Sequence, residues 1–211
     1  MKKIFLAAIF SVAVLTNLNA QTSFGLQVAG TLANAKFGSD GFSITTDSKL
    51  GWKAGAVANV PLKGNFAFMP QLNVVSKSSK FEDGDKVSFN LTYAEVPLNF
   101  VYQSKGFFAC VGPSIAFGVG GKVKAESGGM SEETKVKFDG KKEDEVTDDN
   151  LHLKALDFGG QVIAGYKLPG GLFFNLHYSA GFSNIAPDSG DGTMKNNYFG
   201  FGVGYFFSAK K

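Results

Sequence analysis

Arginine is absent from this chain of 211 residues; all 21 basic side chains are lysine. Guanine edges and phosphates are gripped best by the bidentate guanidinium fork, so its absence argues against a nucleic-acid binder. Charge is scarce too, at 18 % of residues. There is no basic field to recruit a polyanion. The single cysteine, Cys110, excludes a disulfide framework, a thiolate zinc site and an iron–sulfur cluster. Two histidines, His152 and His177, leave little room for imidazole chemistry. What the chain does have is 27 glycines and 22 phenylalanines at a mean hydropathy near zero, which excludes a disordered polymer.

The first twenty residues read as an address. Met1-Lys2-Lys3 is a short positive start, Ile4 to Leu15 an apolar run, and Ala20 a small residue before a cut. This predicts a signal peptide over 1–20, cleaved between Ala20 and Gln21. The run is too short for a retained membrane helix, which needs about 20 apolar residues. In the mature chain, residues 21–211, nineteen lysines face eighteen acids, a net charge of +1.

From residue 21 onward apolar side chains recur at every second position in eight segments. They run Phe24–Leu32, Leu50–Val60, Phe66–Val74, Ala94–Tyr102, Phe107–Val119, Leu156–Tyr166, Leu172–Phe182 and Phe199–Phe207. The alternate positions are small or polar and almost uncharged, as in Gly25-x-Gln27, Asn175-x-His177-x-Ser179 and Gly200-x-Gly202-x-Gly204. A soluble sandwich, or a barrel of lipocalin type, would place charge on the outer face. An apolar aromatic exterior around a small polar interior is the pattern of a transmembrane barrel. The uncharged stretch Gly106–Gly121 is no exception: it holds five glycines and Pro113, and it alternates with period two.

Connections alternate in length. Pro61–Gly64, Gln103–Gly106 and Lys167–Gly171 are tight turns, whereas 35–48, 77–86, 124–150 and 184–195 are long and polar. Sixteen of the 18 acids fall in the long connections and none in the turns. The expected fold is therefore all-β: an eight-stranded, antiparallel, up-and-down transmembrane barrel with short periplasmic turns, long extracellular loops and both termini periplasmic.

Several stretches together resemble the PorT-like family of outer-membrane β-barrel domains. They are Phe24-Gly25-Leu26, Tyr93-Ala94-Glu95-Val96-Pro97-Leu98, Leu156-Asp157-Phe158-Gly159 and Tyr178-Ser179-Ala180-Gly181-Phe182-Ser183-Asn184-Ile185, with a final aromatic strand. The resemblance implies the outer membrane of a Gram-negative bacterium and a link to protein secretion. Partners on this reading are outer-membrane lipid and lipopolysaccharide, the barrel-assembly machinery during insertion, and a secretion-complex protein.

Lys53, Glu95, Asp157 and His177 are the ionisable groups expected on inward positions within the span. Buried charge is costly unless paired, which predicts a structural polar cluster of Glu95 or Asp157 with Lys53, helped by Gln27, Gln71, Gln161 and Tyr93. His177 and Ser179 share a face but lack a third orienting group, so no catalytic residue is assigned. Glu143-Asp144-Glu145 and Asp148-Asp149 lack the spacing and central glycine of a calcium loop, and no metal or cofactor is expected. Gly200-x-Gly202-x-Gly204 precedes no helix and is no nucleotide fingerprint. The leading expectation is a non-enzymatic barrel acting through its outer loops. The alternative, a small porin-like channel, requires a hollow lumen, against which Met69, Tyr93, Phe108 and Phe173 argue as bulky inward residues.

Overall fold

The structure, a computed structural model, describes residues 22–39, 42–83, 85–141, 148–187 and 192–207. The expected cleavage site at Ala20–Gln21 and the acidic run Glu143-Asp144-Glu145 lie outside the described residues. Eleven strands form: β1 Ser23–Ser39, β2 Phe42–Thr45, β3 Asp47–Pro61, β4 Phe66–Asp83, β5 Asp85–Ser104, β6 Phe107–Ser127, β7 Met130–Lys137, β8 Leu151–His152, β9 Leu156–Lys167, β10 Leu172–Gly181 and β11 Thr193–Phe207. Eight of them close a ring in the order β1-β3-β4-β5-β6-β9-β10-β11, every neighbouring pair antiparallel. Pairing of β1 with β11, from Phe24↔Phe207 to Gly38↔Thr193, seals the sheet. Closure satisfies every ladder and removes the edges that hydrocarbon would not tolerate.

Alternation decides which way each side chain points. Phe24, Leu26, Val28, Leu50, Trp52, Phe100, Phe107, Leu176 and Phe201 are exposed on the outer wall, while Gln27, Lys53, Tyr93, Asp157 and His177 are buried inside. No helix among the described residues is long and apolar enough to cross a membrane. The crossing is made by strands.

Three segments expected as loops fold differently. β1 continues to Ser39 and pairs with β2, β4 and β5 run on as a ribbon to Asp83 and Asp85, and β6 reaches Ser127 before returning as β7. Above the hydrocarbon the outer face of a ribbon is no longer held apolar. The period-two signal therefore fades although the backbone ladder continues. β5 and β6, at 20 and 21 residues, far exceed the 9–11 residues a crossing needs. At the opposite end the connections are tight. Lys105 (φ 50°) and Gly106 (φ 90°) form a two-residue hairpin of the primed kind.

The lumen is filled in three layers. Near the short turns sits an apolar layer that includes Met69, Val101, Phe108, Phe173 and Phe206. Phe173 packs 4.8 Å from the Phe206 ring and 6.2 Å from Phe108, centroid to centroid. These rings fit because the facing inward positions are glycine: a Cβ on Gly165 would lie 2.2 Å from the Phe108 ring, and one on Gly204 2.3 Å from Phe173. A polar layer follows at mid-height. Towards the long hairpins lies a second apolar layer with Val75, Leu91, Tyr93, Met194 and Tyr198, joined by Val136, Leu153 and Ile185 from outside the ring. Phe138 drops onto Tyr93 from above, their rings 5.3 Å apart.

Candidate functional site: a charged cluster spanning the lumen

The polar layer is built from inward positions on β3, β4, β5, β9 and β11. Lys77 on β4 places its Nζ 2.9 Å from Asp157 Oδ2 on β9 and 3.4 Å from Glu95 Oε2 on β5. The Tyr198 hydroxyl on β11 donates to Glu95 Oε1 at 2.5 Å, across the full width of the ring. Asn196 Nδ2 donates to Asp157 Oδ2 (3.1 Å) and to the Tyr93 hydroxyl (3.2 Å). Gln161 Nε2 donates to the Tyr198 hydroxyl (3.2 Å), and the Ser183 hydroxyl to Asp157 Oδ1 (3.3 Å). The Lys77 ammonium also lies 4.7 Å from the centre of the Tyr93 ring. Two lysines and two carboxylates thus share one buried layer and balance in charge.

All four sequence-derived residues point into this lumen, but they do not pair as expected. Glu95 and Asp157 bind Lys77, not Lys53. Among the described residues Lys53 makes no ion pair; its Nζ stands 5.7 Å from the Tyr198 ring centroid. The sequence pattern puts Lys77 in the 77–86 connection, because Ser76-Lys77-Ser78-Ser79-Lys80 reads as polar. Parity alone could have found it: it continues the inward series Met69, Gln71, Asn73, Val75. Gln27 and Gln71 form a separate amide patch with Asn73, at 2.7 and 2.9 Å from Gln27 Nε2. The Nδ1 of His177 is hydrogen-bonded to Asn175 Oδ1 at 2.9 Å, not to Ser179. Its ring stands edge-on to Tyr198 at 5.7 Å.

A second cluster sits at the hairpin end, on β8 and the segments beside it rather than on the ring strands. His152, with a side chain only 3 % exposed, brings Nδ1 to 2.7 Å from Asp139 Oδ1 and Nε2 to 3.1 Å from Asp148 Oδ1. Lys137, beside His152 in the β7–β8 pairing, binds the other oxygen of Asp148. With a carboxylate at each ring nitrogen, both nitrogens act as donors and the imidazolium is the favoured form. The Asp139 carboxylate, and then that of Asp148, raise the His152 pKa above its ordinary value. In return Lys137, then His152, hold Asp148 well below the carboxylate range. Among the described residues no group of three His, Cys, Asp or Glu side chains is arranged to hold a metal ion.

This arrangement can tie opposite walls together and fill the interior. Among solved structures the chain is similar to Neisserial surface protein A, at 12 % identity and TM-score 0.51, covering 88 % of this chain and 99 % of that one. It is also similar to Ail, the attachment invasion locus protein of Yersinia pestis, at 14 % identity and TM-score 0.44, covering 89 % and 99 %. At 12 % identity the likeness to Neisserial surface protein A is one of fold. No curated protein sequence matches the chain. The model of the outer membrane protein beta-barrel domain family matches residues 12–186, most of the chain including every residue of the charged cluster except Asn196 and Tyr198. The chain therefore belongs to that family, as a β-barrel protein of the Gram-negative outer membrane.

Proposed function

We propose that the chain is a filled, non-conducting and non-enzymatic barrel of PorT-like type, anchoring long hairpins that act at the cell surface. On this reading residues 1–20 are removed after Ala20, and the barrel-assembly machinery inserts the rest. The hairpin end faces outward, touches lipopolysaccharide and docks a protein partner in assembly or secretion. The observation that carries the proposal is the layered lumen, with apolar side chains closing it above and below a charge-balanced middle. A filled interior leaves the projecting strands of β4 to β7 as the part with something to bind. The absence of an enzyme role rests on His177, whose Nδ1 is committed to Asn175 at mid-lumen, far from any lipid headgroup.

Photo-crosslinking in living cells from Met130, at the exposed tip of the β6–β7 hairpin, tests the surface role. One abundant protein partner is the expected result. Capture of lipopolysaccharide alone removes the secretion part of the proposal. Liposome swelling by the purified protein would instead establish the small-channel alternative.

A further inference from the structure

The filling of the lumen ends before its short-turn mouth. There a blind hollow of about 210 Å³ remains, floored by Met69, Val101, Phe108 and Phe206 of the apolar layer. Two lysines border it. Lys167 pairs with Phe173 across β9 and β10, so its side chain shares the inward face and sets Nζ 5.7 Å from the Phe206 ring centroid. Lys105 stands at the tip of the β5–β6 hairpin. The Lys167 N–H holds that hairpin beside β9 by donating to the Gly106 carbonyl at 2.7 Å. Asn59 of β3 adds an amide to the wall; it is 6 % exposed and its Oδ1 has no hydrogen-bond partner. No side-chain carboxylate answers the two cations. The three short turns hold none, and Glu95 and Asp157 are engaged with Lys77 at mid-height. Among the described residues neither Lys105 nor Lys167 makes an ion pair.

A pocket with an apolar floor, two unanswered cations and a spare amide acceptor asks for a ligand with three matching parts. The free end of a peptide joins all three within one residue: an apolar side chain, a carboxylate and an N–H donor. We infer that this mouth binds the C-terminal residue of another protein, one whose last side chain is apolar. The carboxylate sits between Lys105 and Lys167, the side chain rests on the floor, and the amide N–H turns to Asn59. Size agrees, because the hollow is smaller than the ~300 Å³ of a site for a whole drug-sized ligand and suits a chain end. A membrane phospholipid fits less well, since the mouth opens along the barrel axis and not onto the hydrocarbon around the wall. This chain's own last two residues, Lys210 and Lys211, would bring like charge to Lys105 and Lys167. The inference stands on the mouth alone and on nothing proposed for the hairpins.

The test is fluorescence anisotropy of the full protein in dodecyl maltoside micelles, with a fluorescein-labelled Gly-Ser-Ala-Leu peptide as probe. Saturable binding of the free acid is expected. Amidating the C-terminus should weaken it about tenfold or more, the loss of one charge-assisted contact. Replacing the final leucine by glycine should cost about tenfold, as expected for an unburied leucine side chain. Lys105→Gly together with Lys167→Gln should bind acid and amide alike. Glycine suits the positive φ at position 105, so that exchange leaves the hairpin intact. Lys63→Gln removes a lysine from a short turn that does not border the hollow, and should bind as wild type does. Heat-modifiable migration on gels checks the folding of each variant. Absence of binding, equal affinity for acid and amide, or displacement by equimolar inorganic phosphate would overturn the inference. So would a loss in Lys63→Gln as large as in the double variant, which would leave only a diffuse basic rim. None of these results touches the crosslinking outcome, so the two proposals can fail separately.

Discussion

Lys77 and Asp157 stand 80 positions apart in the chain, yet the ammonium lies 2.9 Å from the carboxylate. β5 and β6 separate their strands around the ring, so the contact spans the lumen rather than running along the wall. It is one of a set of ties, with Tyr198–Glu95 and Asn196–Tyr93, that join opposite sides of the barrel.

Removing Lys77 should therefore be severe. Lys77→Met leaves Glu95 and Asp157 buried with no direct cation, and a loss of about 3–5 kcal/mol is expected from breaking a buried ion pair on one side. Urea unfolding in detergent micelles, followed by tryptophan fluorescence of Trp52, measures it. Adding Asp157→Asn to Lys77→Met should recover a large part of the loss, because Lys53 and Glu95 then balance. A double variant no more stable than the single one would contradict the charge-balance account.

Glycines of β6 should differ sharply in tolerance. A Cβ on Gly112 would lie 2.0 Å from the Leu98 carbonyl oxygen, which belongs to the backbone of β5 and cannot step aside. Gly112→Ala is expected to cost about 1–3 kcal/mol, the range of an overpacked interior. Gly120 meets nothing within 4 Å, so Gly120→Ala should be neutral or slightly stabilising. Heat-modifiability temperatures of the two variants give the comparison.

The His152 cluster makes the hairpin end sensitive to pH. His152 has its pKa raised by Asp139 and Asp148. Its contribution is fully present below the ordinary histidine value of about 6.5 and fades as pH rises through the raised one. Asp139 and Asp148 are lowered, so their contribution is present above about 3.9 and fades only as pH falls through the lowered values. The cluster is then tightest in mildly acidic medium. Once corrected for intrinsic chemical exchange, amide protection at Asn150 and Leu151 should fall as pH rises above neutrality. In His152→Phe that dependence should vanish. Equal pH dependence in both proteins would refute the assignment.

Cys110 points into the apolar layer near the short turns and is 5 % exposed. As the sole thiol it reports cleanly on lumen packing. A water-soluble disulfide reagent should leave the folded barrel unmodified for hours and react fully only after denaturation. Rapid modification of the folded protein would show an open interior and revive the channel alternative.

The strand pattern was legible because the membrane enforces it. Where the wall meets hydrocarbon, Phe24, Leu26, Val28 and their counterparts must be apolar, and alternation follows. Glu95 and Asp157 stand out as the only acids within the eight segments that alternate. Lys77 did not, since its neighbours Ser76, Ser78 and Ser79 are polar on both faces at the height where that constraint ends. Nor could spacing reveal which lysine meets which carboxylate. That depends on the stagger of strands around the ring, which the irregular register between Ser48 and Lys53 helps to set. The His152 cluster was invisible for another reason: its partners are brought together by the short parallel pairing of β7 with β8, for which sequence has no periodic signature.

The seal between β1 and β11 has a kinetic consequence. Every other junction in the ring joins strands that follow one another closely, or nearly so, and can zip as local hairpins. This one matches fifteen positions from the two ends of the chain, and it can form only after the last strand has been made. Until then both terminal strands present long unpaired edges, the state most prone to wrong partners. Because it joins the strands most distant in sequence and closes the ring, this junction is expected to be the last and slowest to form. A truncation that removes only β11 should therefore abolish insertion altogether rather than leave a weakened seven-stranded barrel.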